Sequence, residues 1–284
     1  MPDIRTIRRQ IRGVQNIAKI TRAMEMIAAS KMRKAQERGL AGRAYSEKIQ
    51  QVISDLAALP DIGLQHPLLQ RRPVEKIAVV HIIPDRGLCG GLNANLNRRL
   101  GSFILEQTAP VSVIAVGRKG RDFAVRSTCD LLAEFIQLGD QPSFLDTLPI
   151  SHIVIDDYSD GLIDMVYLLY AHFVSTMVQR PIMRQILPVE PAVIPKAENV
   201  DYIYEPGAEN VLGGLLPRFV EMEIYHAILE AIASEQSARM VAMRNATDSA
   251  NELIGDLTLL YNKARQEAIT RELLDITGGV VALE

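Results

Sequence analysis

The beginning of the chain carries a narrow apolar stripe with helical spacing. Apolar side chains recur at steps of three and four, at Ile4, Ile7, Ile11, Val14, Ile17, Ile20, Met24 and Ile27. A stripe this narrow is typical of a coiled-coil helix rather than of a helix that packs broadly on a core. Because Pro60 disfavours a helical residue before it, we expect this helix to end near Leu59.

The end of the chain predicts a second long helix. Residues 221–277 contain no proline and one glycine, Gly255, so the helix is far longer than the average of about 11–12 residues. Pro217 either begins this helix at its first turn or kinks it. At ~1.5 Å per residue each helix would run on the order of 80–90 Å and needs an equally long partner. We therefore predict that the chain ends form one antiparallel pair, with the remaining residues inserted at its far end.

The pattern changes period in the middle of the chain. Residues 76–83 and 111–116 are continuous apolar, β-branched runs, which is typical of strands buried on both faces. A glycine-rich turn over residues 84–91 and a helical stretch over 93–107 lie between them, and residues 117–120 form the next turn. Strand, turn, helix and strand make a βαβ unit, which winds into a parallel sheet covered by helices.

The assignment between residues 131 and 189 stays open. Either residues 152–164 form a helix and residues 165–174 a strand, or the first of these segments is the strand; a turn at residues 159–161 separates them in both cases. Residues 185–189 predict a final strand, and Pro188 favours an edge position for it. The proline-rich and acidic residues 190–210 then return the chain to the helix pair.

These patterns predict an α/β protein of a particular organisation: a long antiparallel coiled coil of N- and C-terminal helices with an inserted Rossmann-like α/β domain. The N-terminal coiled-coil helix covers residues 1–59. The inserted domain with its flanking loops covers residues 60–207, and the C-terminal coiled-coil helix covers residues 208–284.

Composition and charge narrow the class of protein. The chain has 48% hydrophobic residues, and none of its apolar runs approaches the ~20 residues that a membrane span needs. Residues 1–43 carry eleven basic and three acidic side chains, whereas residues 220–284 carry five basic and eleven acidic ones. Opposite charge favours pairing of the two helices with each other. The acidic partner helix and the lack of interleaved aromatic residues argue against nucleic acid as a ligand.

Candidate chemistry is sparse. Gly87, Gly90 and Gly91 follow a strand and precede a helix, where a dinucleotide-binding fold places its phosphate loop, but their spacing is G-x-x-G-G and no Lys-Ser/Thr pair follows. A structural turn is therefore favoured over nucleotide binding. Cys89 and Cys129 are too few for a disulfide framework and indicate a reducing cytoplasm. We predict no catalytic residues, no metal site and no cofactor.

The two helices nevertheless carry features of a contact surface. Uncharged polar residues along the C-terminal helix and methionines such as Met24 and Met240 are typical of surfaces that meet adaptable partners. The tip, residues 269–283, is largely apolar, so we expect it to lie inside another protein.

Four segments together resemble the gamma subunits of F-type ATP synthases. They are ITRAMEMIAASKMRKAQ near the start, DRGLCGGLNANL after the first strand, and SEQSARMVAMRNATDSANELI and YNKARQEAITREL near the end. The resemblance implies a non-catalytic rotor shaft, present once per complex, that passes through a ring of three alpha and three beta subunits. It couples ion-driven rotation of the membrane c-ring to conformational change at the catalytic sites.

The resemblance also implies a location and further partners. The α/β domain would lie against the epsilon subunit and the c-ring, and the membrane would be reached only through that ring. The chain lacks the cysteine pair of chloroplast forms and has no targeting segment. These features indicate the cytoplasmic face of a bacterial cell membrane.

The resemblance assigns partner contacts to individual residues. Met24 would face a lever loop of a catalytic subunit, and Glu235 with Arg239 would form a second contact zone with the ring. Contacts with the catch region of a beta subunit would come from Arg265, Gln266, Thr270 and Glu272, and the apolar bearing would be formed by Leu273, Leu274 and Ile276. The c-ring contacts would be Tyr202, Tyr204 and Glu205. Gly213, Gly214 and Pro217 depart from the family pattern by interrupting the start of the long helix.

Two other classes of function fit parts of the sequence. A structural coiled-coil scaffold would have the long helices but would gain nothing from the uncharged apolar tip. A nucleotide-dependent enzyme would use the βαβ unit, and ATP binding that is lost on changing Gly90 or Gly91 would favour it.

Overall fold

The computed structural model describes residues 3–57, 66–190, 205 and 207–281. Within these ranges it describes the backbone but not the side chains of residues 41–47, 54, 55, 57, 275, 276 and 278–281. The elements are α1 (Ile4–Ala57), a 3-10 turn (Pro67–Leu69), β1 (Ile77–Ile82), α2 (Leu92–Glu106), β2 (Val111–Val116), α3 (Arg118–Arg126), β3 (Asp130–Phe135), α4 (Phe144–Ser159), β4 (Met165–Phe173), β5 (Gln179–Leu187) and α5 (Ala208–Val281).

The chain divides into two compact units. The helical unit consists of Met1–Ala28 and Met240–Glu284, and the α/β unit consists of Ala29–Arg239. Helices α1 and α5 contribute residues to both units. No helix in the described part of the chain combines the length and the apolar character that crossing a membrane requires.

A five-stranded sheet organises the α/β unit, in the order β3-β2-β1-β4-β5. The strands β1 to β4 pair in parallel, and β5 pairs antiparallel with β4 at the edge of the sheet. The predicted βαβ unit and the predicted edge strand are therefore confirmed. The edge strand begins at Gln179, six residues earlier than expected, because the chain turns back directly after β4.

Helices cover both faces of the sheet. Alternating residues of β1 point to opposite sides: Ala78, Val80 and Ile82 join a core with α1, α4 and α5, whereas Ile77 and Val79 pack against α2. All six residues of β1 are buried, as the continuous apolar run predicts for a central strand.

The structure resolves the open segment between β3 and β5. Residues 152–159 belong to helix α4, which begins with a capping box formed by Ser143 and Asp146, and residues 165–173 form strand β4. The expectation of a turn over residues 117–120 is wrong in its extent, because helix α3 begins at Arg118.

The C-terminal helix begins at Ala208, so the alternative in which Pro217 occupies its first turn is wrong. Pro217, Gly213 and Gly214 all lie within the helix. Leu212 and Leu216 are 1% and 0% exposed in the core of the α/β unit. Their burial outweighs the low helix propensity of the glycines and the proline.

Candidate partner-contact surfaces

In the helical unit, α1 and α5 run antiparallel. The hydroxyl oxygens of Thr21 and Thr247 share a buried hydrogen bond of 2.7 Å, and Glu25 lies 3.5 Å from Arg244. Because the residue number rises along one helix while it falls along the other, the pairing is antiparallel, as predicted.

The residues of α1 that meet α5 differ from the apolar stripe in the sequence. Ile7, Ala18, Thr21 and Ala28 are buried, whereas Ile17, Ile20 and Ile27 are 54%, 60% and 54% exposed. From residue 17 onwards, the apolar stripe lies one position before the contact line. The stripe therefore follows the helix contact only in its first part, and from residue 17 onwards Ala18, Thr21 and Ala28 take the buried positions.

This displacement leaves an apolar stripe outside the helix contact. It consists of Ile17, Ile20, Met24 and Ile27, of which Met24 is half-buried and the other three are exposed. We call it the α1 stripe. It contains the first residue that the sequence assigns to a partner contact.

The ion pairs do not follow the prediction from net charge, in which bases of α1 pair with acids of α5. Glu25 and Arg244 pair an acid of the basic helix with a base of the acidic helix. In the α/β unit, the basic residues Lys31 and Arg38 of α1 bind Asp140 and Gln141, which precede α4. Among the described ion pairs, none joins a base of α1 to an acid of α5.

The end of α5 extends past the beginning of α1. With Thr21 opposite Thr247, Ile4 lies opposite about residue 264. The following side chains have no α1 residue beside them in the described chain, and the predicted contacts among them are all exposed: Arg265, Gln266, Thr270, Glu272, Leu273 and Leu274. Ile269 is 50% exposed, and Leu273 and Leu274 are 58% and 65% exposed. The side chain of Ile276 lies outside the described residues.

Glu235 and Arg239 lie in a different environment, inside the α/β unit. Their side chains form an ion pair of 2.7 Å and are only 17% and 11% exposed. Arg239 also donates to the carbonyl oxygen of Gly87 at 3.2 Å. Burial raises the pKa of Glu235, and the Arg239 guanidinium acts in the opposite direction. Both side chains are therefore largely buried in the unit and are bonded within it.

The glycine-rich turn has its own structural requirements. Gly90 adopts φ of +60°, and Gly91 is the N-cap of α2. In open α/β sheets, ligands bind outside the carboxyl ends of the strands where the strand order reverses, which here lies between β1 and β4.

Helix α5 occupies this crevice. Ser234 donates to the carbonyl oxygen of Ala171 at 2.7 Å, and Glu230 accepts from the backbone N–H of Phe173 at 3.3 Å. Together with the bond from Arg239 to Gly87, these contacts favour a structural turn.

The remaining predicted contacts are only partly described. Glu205 is exposed, whereas Tyr202 and Tyr204 lie outside the described residues. Within the described ranges, no group of three or more His, Cys, Asp or Glu side chains is arranged to hold a metal ion.

Comparison with known proteins identifies relatives over the whole chain. The family model described as ATP synthase matches residues 3–283. The ATP synthase gamma chain of Dehalococcoides mccartyi strain 195 is 66% identical over 284 residues, which is 100% of both chains. That of Roseiflexus castenholzii is 52% identical over 288 residues, covering 100% of this chain and 99% of the relative.

Solved structures show the same fold. The central stalk and c-ring structure of the Tetrahymena thermophila mitochondrial ATP synthase contains a chain that is 25% identical, with a TM-score of 0.62, covering 80% of this chain and 99% of that one. A chain of the Euglena gracilis mitochondrial ATP synthase in rotational state 3 is 20% identical, with a TM-score of 0.68, covering 99% of this chain and 94% of that one.

Proposed function

The chain belongs to the ATP synthase gamma-chain family, and we propose that it is the rotor shaft that couples rotation of a membrane c-ring to ATP synthesis in an alpha3-beta3 ring. In the reverse direction it would drive rotation by hydrolysis. The chain itself performs no chemistry in this proposal, because the nucleotides are bound and converted by the ring.

One observation carries the proposal. From residue 265 onwards, α5 has no α1 residue beside it in the described part of the chain, and its described polar and apolar side chains up to Leu274 are exposed except for the partly buried Glu267. A monomer gains no stability from three large exposed apolar side chains, Ile269, Leu273 and Leu274, so close together, and such patches mark interaction sites. The surrounding ring provides the apolar environment that this end of α5 needs.

The residues at this end of α5 have two roles, an apolar bearing and polar contacts with the beta subunits. Leu273, Leu274 and Ile276 form the apolar bearing in which the shaft turns. Arg265, Gln266, Thr270 and Glu272 hydrogen-bond to beta subunits, because Arg and Gln suit fixed contacts with carboxylates.

Two further zones extend the contact with the ring. The α1 stripe, which includes Met24, provides an apolar surface for a lever loop. Glu235 and Arg239 contribute the small part of their side chains that the α/β unit leaves exposed.

Asymmetry explains how such a shaft acts on three identical sites. A single shaft presents a different face to each site, so each site is held in a different conformation. Rotation then changes which conformation is favoured at each site, which is population shift by differential contact. The requirement is a surface that differs around the helix axis, and the exposed end of α5 has one.

The α/β unit connects the shaft to the c-ring. Tyr202, Tyr204 and Glu205 contact the c-ring, and the epsilon subunit binds the same unit. The chain is then a peripheral protein at the cytoplasmic face of a bacterial cell membrane, attached only through the c-ring.

Reconstitution tests the proposal. The isolated chain neither binds nor hydrolyses ATP, whereas its addition to purified alpha and beta subunits produces strong, rotary hydrolysis. The double variant Leu273→Asp with Leu274→Asp lowers this stimulation, and Leu105→Asp, which changes an exposed leucine of α2, leaves it unchanged. Absence of alpha and beta subunits from gently extracted complexes, or equal stimulation by both variants, would contradict the proposal.

A further inference from the structure

The loop between β3 and α4, residues 136–142, binds both long helices through one carboxylate. Asp140 accepts a hydrogen bond from Lys31 of α1 at 2.6 Å through Oδ2. Its other oxygen, Oδ1, accepts from the side-chain amide of Gln236 of α5 at 3.2 Å. Lys31 and Gln236 lie within three residues of positions 29 and 239, at which the two helices pass out of the α/β unit.

A neighbouring contact reinforces this arrangement. Arg38 lies two turns further along α1 and donates to the side-chain oxygen of Gln141 at 2.8 Å. The loop therefore holds α1 at two points and α5 at one.

The loop is itself fixed to the sheet. Asp85, which follows β1, accepts from the backbone N–H of Gln137 at 3.0 Å and from that of Arg118 at 2.8 Å. Gln137 and Gly139 adopt positive φ angles of 62° and 80°, which shape the loop toward the helices. A loop that is braced by the end of β1 and the beginning of α3 transmits force from the sheet better than an unattached one.

The three bonds of the loop differ in strength. Lys31 and Asp140 are 37% and 44% exposed, and exposed ion pairs of this kind contribute little. Gln236 is only 2% exposed, so its amide depends on Asp140 for a partner, and its hydrogen bond to a charged acceptor is the stronger interaction. Loss of Asp140 removes both bonds at once.

We propose that Asp140 is a positioning residue that clamps α1 and α5 to the α/β unit, so that torque applied to this unit passes into both helices together. The proposal rests on the rotor function proposed above. Without the clamp, core packing and the bonds of Ser234 and Arg239 still hold α5, but the segments around Lys31 and Gln236 lose a shared attachment to the loop. These segments then yield more under torque, and part of each rotation is lost as elastic twist.

The first test uses the isolated chain. In Asp140→Ala, we expect the backbone amides of residues 29–40 and 232–239 to exchange with deuterium roughly two to ten times faster, the factor that corresponds to one lost net hydrogen bond. Asp156→Ala removes an exposed carboxylate of α4 and leaves these amides unchanged. Equal exchange in the two variants would overturn the clamp.

The second test uses the chain assembled with alpha and beta subunits. A probe on the α/β unit of Asp140→Ala shows a wider angular distribution at each pause than the unchanged chain does, whereas the hydrolysis rate stays the same. The double variant Lys31→Glu with Asp140→Lys restores the narrow distribution, because the Gln236 amide both donates and accepts hydrogen bonds.

The two tests separate the possible failures. An unchanged angular distribution beside faster exchange would overturn the transmission of torque by the clamp. If the unchanged chain fails to produce rotation with alpha and beta subunits, the proposed function is wrong, and the exchange result still decides whether Asp140 holds the helices.

Discussion

Helix α5 has two parts with opposite relations to solvent. Between Ala208 and Arg239 it contributes many buried side chains to the core beneath the sheet, from Leu212 to Ala233. Beyond Arg239, the buried side chains among the described residues are Met243, Thr247 and Ala250. One continuous helix is therefore a core element in its first part and is largely exposed in its second.

The difference predicts where substitutions change stability and where they change assembly. A helix that packs on a sheet and on other helices is enclosed on several sides, whereas a helix with one partner is enclosed on one side only. Substitutions in the first part should change the free energy of unfolding, and substitutions in the second should change activity of the assembled complex.

The largest expected effect tests the core part. Ile224→Ala removes a fully buried side chain and should lower the free energy of unfolding by about 2–5 kcal/mol, through lost burial and a residual cavity. Urea denaturation measures this loss. The matched change Leu274→Ala, at a side chain that is 65% exposed, should stay within about 0.5 kcal/mol of the unchanged chain. Similar losses of unfolding free energy at both positions would show that the two parts of α5 do not differ in their contribution to stability.

Lowering the pH should also destabilise the core of the α/β unit. His81 is fully buried on β1, bonded through Nε2 to Asn97, and burial lowers its pKa from 6.5 to about 4. Because only the unfolded imidazole binds a proton between these values, the free energy of unfolding should fall as pH falls from 6.5 toward 4, by about 3 kcal/mol, and this contribution should be constant below that.

A variant isolates the contribution of His81. His81→Gln should reduce the pH dependence in this window, measured as the difference between the urea midpoints at pH 7 and pH 4.5. An identical pH profile in the variant would show that other groups cause the acid sensitivity.

The next effect tests the exposed part. Arg265→Ala should leave the free energy of unfolding unchanged and lower ATP hydrolysis by the assembled complex roughly tenfold or more, since a hydrogen bond to a charged group contributes about 1.5–3 kcal/mol. Lys263→Ala changes an exposed base two residues earlier on α5 and should have a smaller effect. A lower unfolding free energy in Arg265→Ala would show that this residue stabilises the fold, as the core residues do.

The smallest expected effect concerns the contact between α1 and α5 in the helical unit. Thr247→Val should cost about 1 kcal/mol, because the hydrogen bond between Thr21 and Thr247 is lost while Thr21 keeps its bonds to the carbonyl oxygens of Ile17 and Ala18. The double variant with Thr21→Val should cost less than the sum of the single losses. Additive losses in this double-mutant cycle would show that the two hydroxyls do not interact.

The sequence predicts the elements that have strong periodic patterns. The apolar runs of β1 and β2 and the long helices have the predicted types and nearly the predicted ends. The sequence does not predict helix α3, because Gly117 and Gly120 indicate a turn. A side chain at Gly117 would place Cβ 1.7 Å from the carbonyl oxygen of Ile83, and one at Gly120 would lie 2.7 Å from the Ile83 side chain. Close approach to Ile83, which directly follows β1, requires both glycines, and no local pattern encodes this approach.

The candidate surfaces are predictable only in part. Exposure of Leu273 and Leu274 agrees with the apolar end of the chain having no core to enter, and their contact with a ring stays a prediction. Burial of Glu235 and Arg239 is not evident from their polar character, since it depends on a turn about 150 positions earlier, at Gly87. The bonds of Asp140 have the same origin, because they join segments that are close only in the folded chain.

The ion pair between Glu25 and Arg244 has a consequence for assembly of the helical unit. Two helices with opposite net charges attract each other over many relative displacements, so net charge alone does not choose one alignment. If α5 slid by one helical turn, Asp248 would take the place of Arg244 beside Glu25, and two carboxylates would meet. Repulsion between them disfavours this slipped pairing. The reversed pair therefore acts with the buried bond between Thr21 and Thr247 to favour one alignment of a long helical contact that overall charge leaves undetermined.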